Sequence, residues 1–244
     1  MDALNRKDEG KLVVPYDKDR KTIVFHDSFV DINGDVIKYD DIAVIQSGAL
    51  NSSSMIYFYF SKSFDYYFDF TTYDGIKHKF RRRGYSAYGI GTYKRIREEY
   101  DVVSPPFYSI VVRNVCERLI DRISKGATAN ICGLEITRDK ITYEKRKKTI
   151  TVDKDNFGKA INNNAYMSNT AQIFIKDEKR PFFSCSLNEP NAMFIVPIVN
   201  YFLEYKVKEE AEAALEKAAY NPYAGPYANT DMDHGIAPDG GSIP

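Results

Sequence analysis

The sequence predicts an α+β protein made of two similar halves, each an antiparallel sheet closed by one C-terminal helix. Three observations indicate this class. Long stretches alternate between apolar and polar residues with the period of two that is typical of strands. Two other stretches repeat apolar residues every three or four positions, as amphipathic helices do. Aromatic residues, which favour strands, are abundant, with 19 Tyr and 15 Phe but no Trp among 244 residues.

The first half is predicted to consist mainly of hairpins. Short alternating strands surround Asn33-Gly34-Asp35, a strong turn signal because Asn and Gly tolerate positive φ. Aromatic runs at 55–60 and 64–70 predict two further strands, with the polar residues 61–63 as the turn between them. Another alternating strand is expected over 76–82.

A helix is expected to close this half. Residues 83–103 form an insertion, rich first in Gly and Tyr and then in charge. The helix then begins at Ser104 as N-cap, with Pro105 and Pro106 in its first turn, and stops near Gly126. Its apolar stripe consists of Phe107, Ile110, Val111, Val115, Leu119 and Ile123. One face of the helix should therefore pack on a sheet.

The pattern restarts in the second half. The predicted strands lie at 134–137, 140–143, 149–152, 173–175 and 182–187. A polar turn at 144–148 joins the second strand to the third, and residues 177–180 connect the last two. A second helix is expected from about 191 to 219, with Pro197 breaking or kinking its first turns.

The repeated order is carried by FHDSFVDINGDVIKYDDIAVI at 25–45 and ITRDKITYEKRKKTITVDKDNF at 136–157, each followed by further strands and a helix. This order resembles the pleckstrin-homology-like (PH-like) superfold, as found in bacterial PH-like and GRAM-type domains. The resemblance implies, for each half, a bent seven-stranded sheet closed by one helix. It implies no reaction, because that fold serves lipid, peptide and protein binding.

The expected organisation follows from this resemblance. It comprises an N-terminal arm (1–20), a first PH-like domain (21–125) with the insertion 83–103, a second PH-like domain (126–207), and a helical extension with a flexible tail (208–244).

Composition excludes several classes of function. Lys plus Arg and Asp plus Glu both total 34, so the formal net charge is zero and no nucleic-acid partner is expected. Three scattered cysteines predict no disulfide framework and no metal site, and they indicate a reducing compartment. The charged start lacks the apolar core of a signal peptide, and no apolar run is long enough to span a bilayer. A cytoplasmic location is therefore expected.

No catalytic set is apparent, so the chain is predicted not to be an enzyme and to need no metal or cofactor. Its histidines are far apart in sequence, and Cys116 lies beside the buried stripe of a helix. The glycine-rich segment 84–91 lacks the context of a nucleotide-binding loop. An enzyme would remain possible if His78, Tyr88 and Asp101 shared a deep pocket.

Two groups of basic residues are the candidates for binding a polyanion or lipid. They are Lys77, Lys79, Arg81, Arg82 and Arg83 on a strand, and Lys145, Arg146, Lys147 and Lys148 at a hairpin tip. In lipid-binding PH domains, which the chain resembles, basic residues on the first hairpin hold inositol phosphates. The alternative is that such charges only keep the protein soluble and protect strand edges from pairing.

A second set of residues is predicted to contact a partner. It comprises Tyr85, Tyr88 and Tyr93 in the insertion, Val207, Ala211 and Leu215 on the C-terminal helix, and Tyr223 and Tyr227 in the tail. The leading interpretation is a non-enzymatic cytoplasmic binding or scaffold protein that acts through protein–protein contacts, self-association included. The alternatives are a peripheral membrane protein that binds anionic lipid, and an uncharacterised enzyme.

Overall fold

The computed structural model describes residues 7–8, 11–17, 21–56, 59–165, 168–205 and 208. In these residues sixteen strands form four antiparallel sheets, accompanied by one long and one short helix. The predicted α+β class is confirmed.

The first sheet is a meander in which each strand pairs with the next. Its strands are β1 (Lys7–Asp8), β2 (Lys11–Tyr16), β3 (Lys21–Phe25), β4 (Phe29–Ile32) and β5 (Asp35–Lys38). The predicted turn at Asn33 and Gly34 is confirmed, with φ of 57° and 91°. β2 lies in the segment expected to be a loose arm, and it buries Val14 and Tyr16. The alternation of β2 is short and charged residues flank it, so the sequence alone does not predict this strand.

The second sheet contains two unusually long strands. Its strands are β6 (Ile42–Ile56), β7 (Tyr59–Thr72), β8 (Lys77–Ala87) and β9 (Ile90–Gly91), in that order. The predicted turn at 61–63 is wrong, because these residues continue β7 and pair with β6. Ser61 is buried, and its hydroxyl lies 2.7 Å from that of Ser54 on the neighbouring strand. A polar, serine-containing stretch therefore continues the strand here, although its polarity alone predicts a loop.

A long helix covers this sheet. It consists of α1 (Tyr93–Pro106), a π-helical segment (Phe107–Val112) and α2 (Arg113–Ser124). The predicted start at Ser104 is wrong, since the helix begins within the supposed insertion. Pro105 and Pro106 lie inside it, and the wider π-helical turns follow these two residues, which lack N–H donors. The predicted stop near Gly126 is confirmed, with φ of 95°.

The second half repeats this order with shorter elements. Its first sheet contains β10 (Ala129–Ile131), β11 (Leu134–Ile136), β12 (Lys140–Lys145) and β13 (Lys148–Asp153). Its second contains β14 (Phe157–Ala165), β15 (Ser168–Ile175) and β16 (Phe183–Ser186). The predicted turn between β12 and β13 is confirmed. Arg146 and Lys147 form it with φ of 50° and 65°.

The second helix is described from Ala192 to Tyr205. A 3₁₀ turn (Ala192–Phe194) leads into α3 (Ile195–Asn200), and a π-helical turn (Tyr201–Tyr205) follows. The break expected at Pro197 does not occur, because the proline occupies the first turn, where a backbone N–H would have no helical partner. The predicted contact residues of the extension and tail lie outside the described residues; they are Val207, Ala211, Leu215, Tyr223 and Tyr227.

The buried side chains of both halves belong to one contiguous cluster. α2 contacts α3, and Asn191 joins the loop before α3 to β6 by hydrogen bonds to Ile45. Each half keeps its own sheets and helix, but the two share a core where they meet. This differs from the separately closed units that the sequence interpretation describes.

A disulfide corrects the expectation for the cysteines. It joins Cys132 in the turn after β10 to Cys185 on β16, with Cα atoms 6.6 Å apart. The sequence could not show this pairing, because the partners are 53 residues apart and lie in different sheets. Cys116 is free and buried in α2. With two of three cysteines paired, cysteine usage no longer supports the expected reducing compartment.

Candidate binding surfaces

The basic residues of β8 are largely paired. Alternation places Lys77, Lys79, Arg81 and Arg83 on one exposed face of the strand. The register brings two carboxylates of β7 to the same face: Arg81 pairs with Asp69 and Arg83 pairs with Asp65. Two of the four cations on this face are therefore neutralised by neighbouring carboxylates, which weakens the case for a polyanion surface here.

Arg82 points the other way and has a structural role. Its Nε donates to Oε1 of Glu99 at 2.7 Å, and the Tyr66 hydroxyl donates to the same oxygen at 2.6 Å. Glu99 is only 9% exposed, so α1 is fastened to the sheet by a buried ion pair. The hydrogen bond from Arg82 also holds the pKa of Asp17 below its ordinary value. Arg82 is thus occupied and does not belong to a binding surface.

The second basic group has a different setting. Lys145, Arg146, Lys147 and Lys148 are all exposed at the β12–β13 turn. No described carboxylate lies within ion-pair distance of any of them. The structure therefore brings these four predicted residues together as an unneutralised cationic tip, which we call the basic tip.

A cluster of exposed aromatic and aliphatic side chains lies at one end of the second sheet. It consists of Met55, Tyr59, Phe60, Tyr85, Tyr88 and Ile90, which we call the aromatic end. Ile90 is 82% exposed, Met55 72% and Tyr88 63%. The hydroxyls of Tyr59 and Tyr85 are 2.6 Å apart, and the rings of Tyr59 and Tyr88 meet at 5.3 Å.

Two residues of this end, Tyr85 and Tyr88, were predicted from the sequence, and four were missed. For Met55, Tyr59 and Phe60 the signal is the unbroken apolar run at 55–60, whose pattern predicts a strand that ends at a turn over 61–63. Tyr93, the third predicted tyrosine, lies apart at the start of α1, where its hydroxyl donates to Asn51 Oδ1 at 3.1 Å.

A cleft of about 970 Å³ lies between β6, the long helix and the second half. Its lining includes Ser47, Ala49, Asn51, Lys62, Tyr93, Arg97, Tyr100, Tyr108, Asn162, Asn169 and Met193. None of the described residues that line it is Asp or Glu. The charged side chains along the cleft are therefore the cations of Lys62 and Arg97.

The residues that would have formed an enzyme site are apart. Near the start of β8, His78 Nδ1 lies 2.7 Å from Asp35. Tyr88 follows the last residue of the same strand, about 30 Å from His78. Asp101 is exposed on α1. In the described part of the chain, no three His, Cys, Asp or Glu side chains are grouped as metal ligands would be.

The glycine-rich segment has a packing explanation. Gly84 lies on β8 against Ile96, and a Cβ there would come within 2.8 Å of that side chain. Gly91 lies against the Tyr85 carbonyl with φ of 139°. Both glycines let β8 and β9 approach neighbouring groups closely.

Among the described residues, no helix has the length and apolar character needed to cross a bilayer. No family model, curated protein or solved structure matches the chain. Its function is therefore inferred from the surfaces described above.

Proposed function

We propose that the chain is a non-enzymatic binding protein, built of two PH-like units, that docks a protein partner through the aromatic end. One observation carries this proposal: six large apolar side chains are exposed together at the end of one sheet. Exposed apolar side chains gathered at one place are characteristic of interaction sites, because burying them removes apolar surface from water. Tyr, which supplies three of the six, is enriched at protein interfaces.

The repeated order of elements supports the PH-like interpretation. Strands β2–β5 are followed by β6–β8 and the long helix, and strands β10–β13 are followed by β14–β16 and α3. With β1 and the two-residue β9 of the first half set aside, each half contributes seven strands followed by a helix, which is the number that the resemblance implies. A fold of this type is a frame for binding surfaces, so function has to be sought on the outside.

The charges around the aromatic end favour a partner with acidic groups. The Lys62 ammonium lies 5.2 Å from the centre of the Phe60 ring. Asp65 and Glu98 are the carboxylates that follow the residues of the aromatic end most closely in sequence. They already pair with Arg83 and Lys94. A partner with an apolar patch bordered by carboxylates fits this pattern, whereas a second copy would bring two Lys62 side chains together.

The test compares affinity capture by three forms of the full chain. The first is wild type, the second is the triple variant Tyr59→Ser, Tyr88→Ser, Ile90→Ser, and the third carries alanines at the four residues of the basic tip. We expect the triple variant alone to lose the captured protein while keeping wild-type unfolding behaviour. Equal capture by all three forms would contradict the proposal. Self-association that the triple variant abolishes in light scattering would contradict the proposed partner.

The basic tip supports a second candidate, contact with an anionic membrane surface. Its four cations are exposed, and none of them pairs with a described carboxylate. Two of them occupy left-handed backbone positions that L-residues other than Asn and Asp seldom adopt. Strained conformations of this kind are often kept where they serve binding. Each basic residue near an anionic surface contributes about 1 kcal/mol, so the contact would be weak and sensitive to salt.

Liposome flotation separates this candidate from the first. We expect the chain to float with vesicles that contain acidic lipid at low salt, and we expect alanines at Lys145, Arg146, Lys147 and Lys148 to abolish this. No flotation at low salt, or flotation that survives these substitutions, would remove the candidate.

A further inference from the structure

The outer edge of β6 offers unpaired backbone groups. β6 is an outer strand of its sheet, with β7 as its neighbour. At its start the edge is capped, because the Ile45 N–H donates to Asn191 Oδ1 and the Asn191 N–H donates to the Ile45 carbonyl, both at 2.8 Å. Successive peptide groups of a strand alternate in direction. Those of Ser47, Ala49 and Asn51 therefore face the same side as those of Ile45, away from β7.

Asn191 thus occupies the place that a residue of a neighbouring strand would take, and the edge beyond it is open. No described residue forms a hydrogen bond with the outward backbone groups of Ser47, Ala49, Asn51 or Ser53. From Ser47 to Ser53 the open edge is about 20 Å long. That length is enough for several backbone hydrogen bonds to one extended segment.

The composition of β6 leaves this edge unprotected. Sheet edges are normally guarded against pairing by charged side chains, by proline, or by being short. Over its fifteen residues, IAVIQSGALNSSSMI, β6 carries neither a charge nor a proline. The strand therefore favours pairing with an added strand.

The surroundings of the edge select what can pair with it. The open part of β6 lies along the cleft, between Tyr100 and Tyr108 of the long helix and Asn162 and Asn169 of the second half. A second copy would have to bring its own recessed β6 into this space. A single extended segment avoids this steric conflict, because no helix or second sheet flanks its backbone.

The charges that line the cleft favour a segment of negative charge. Lys62 and Arg97 line it, and none of the described lining residues is acidic. Met193 and Val112 add apolar surface that can receive alternate side chains of a strand. An acidic segment with interspersed apolar residues fits both features.

We propose that an extended acidic peptide segment of a partner protein binds in this cleft as an additional strand on the edge of β6. Main-chain hydrogen bonds to Ser47, Ala49, Asn51 and Ser53 supply much of the affinity, and Lys62 and Arg97 favour acidic sequences. This site shares Lys62 with the border of the aromatic end, but its main-chain contacts are those of β6 and do not depend on the function proposed for that end.

The probe is a displayed library of random linear peptides, selected on the full chain, from which an enriched peptide is synthesised. Its affinity is measured for wild type, for Ala49→Pro and for the matched control Ala49→Val. Proline removes the outward N–H of residue 49, which takes no part in pairing with β7, whereas valine keeps it. We expect Ala49→Pro to weaken binding about tenfold or more, because the peptide carbonyl loses its partner, and Ala49→Val to have little effect.

Two further measurements keep the proposal testable if Ala49→Pro does not fold. Adding the peptide should slow hydrogen exchange at the amides of Ala49 and Asn51 in the wild type, and Arg97→Glu should shift the selected peptides away from acidic sequences. Enrichment of basic peptides, protection of other amides only, or equal affinity of folded Ala49→Pro would each overturn the proposal. A library that yields no peptide would overturn it as well.

Discussion

The two halves follow the same order of elements but are held together by different chemistry. In the first half the closing helix is long and is fastened to the sheet by Arg82 and Glu99, a buried ion pair. In the second half α3 has six residues, and the disulfide Cys132–Cys185 links the two small sheets. A larger apolar core allows the first half to bury charges, whereas the smaller half gains from a covalent link.

The surfaces of the two halves also differ. The hairpin tip at Asn33 and Gly34 is uncharged at the turn itself, whereas the corresponding tip at Arg146 and Lys147 is cationic. In the first half, lengthening of β6, β7 and β8 carries the aromatic end outward. The two halves therefore present different exposed features, an apolar one in the first half and a cationic one in the second.

The largest effect should come from the covalent link of the second half. We expect the double variant Cys132→Ser, Cys185→Ser to lose about 4 kcal/mol of the free energy of unfolding, because the link no longer restricts a long loop in the unfolded chain. Urea unfolding under oxidising conditions measures this. Reductant should destabilise the wild type equally and leave the variant unchanged; a wild type that is insensitive to reductant would refute this prediction.

In the first half the matching test removes the buried carboxylate. We expect Glu99→Ala to lower the free energy of unfolding by about 3 kcal/mol, because Arg82 remains largely buried without its main partner. Glu98→Ala is the matched control: its side chain is exposed on the same helix and pairs with Lys94 at 3.8 Å. Urea unfolding should show almost no change for this control. Similar losses for both variants would contradict the difference drawn between them.

The free cysteine allows a test by pH. Burial raises the pKa of the Cys116 thiol from 9.0 to about 11. Because the folded state holds this proton more tightly than the unfolded state, the stabilisation is fully present below pH 9 and is lost as the pH rises through 11. Between these values we expect the wild type to lose about 2 kcal/mol more than Cys116→Ala. Unfolding curves for both proteins across this range measure it, and parallel losses would show that the thiol is not responsible.

The smallest effect concerns the two hairpin tips. Lys147 adopts φ of 65°, so Lys147→Gly should raise the free energy of unfolding by about 1 kcal/mol. Gly34 adopts φ of 91° in open space, so Gly34→Ala should lower it by about 1 kcal/mol. Urea unfolding of the two variants tests the pair. A decrease for Lys147→Gly would mean that the lysine side chain, and not its backbone, dominates at this tip.

Local patterns were enough to predict part of the fold. Alternation and turn chemistry predicted the hairpins at 33–35 and 144–148, and periodicity predicted the apolar stripe of the long helix and its end near Gly126. The start of that helix was hidden by Pro105 and Pro106, which normally mark a first turn. Its N-terminal part is stabilised by tertiary contacts, including the burial of Ile96 and Glu99.

The candidate binding surfaces are harder to predict, since they depend on contacts between distant residues. In the sequence, the basic residues of β8 have the pattern of an exposed binding face. Only the strand register shows that Asp65 and Asp69 lie beside them. Only two of the six residues of the aromatic end, Tyr85 and Tyr88, are predicted from the sequence, because they stand in a region of unusual composition. Met55 and Ile90 join them only when the long strands pair. The open edge of β6 becomes apparent only from the hydrogen bonds of Asn191.

Photo-crosslinking tests most directly whether the aromatic end is the docking surface. A benzophenone amino acid would replace Ile90 in one form of the full chain and Val36, another exposed apolar residue of the first half, in a second form. The account predicts a discrete adduct with a partner protein from position 90 and none from position 36. Equal adducts from both positions, or adducts from position 36 alone, would contradict it.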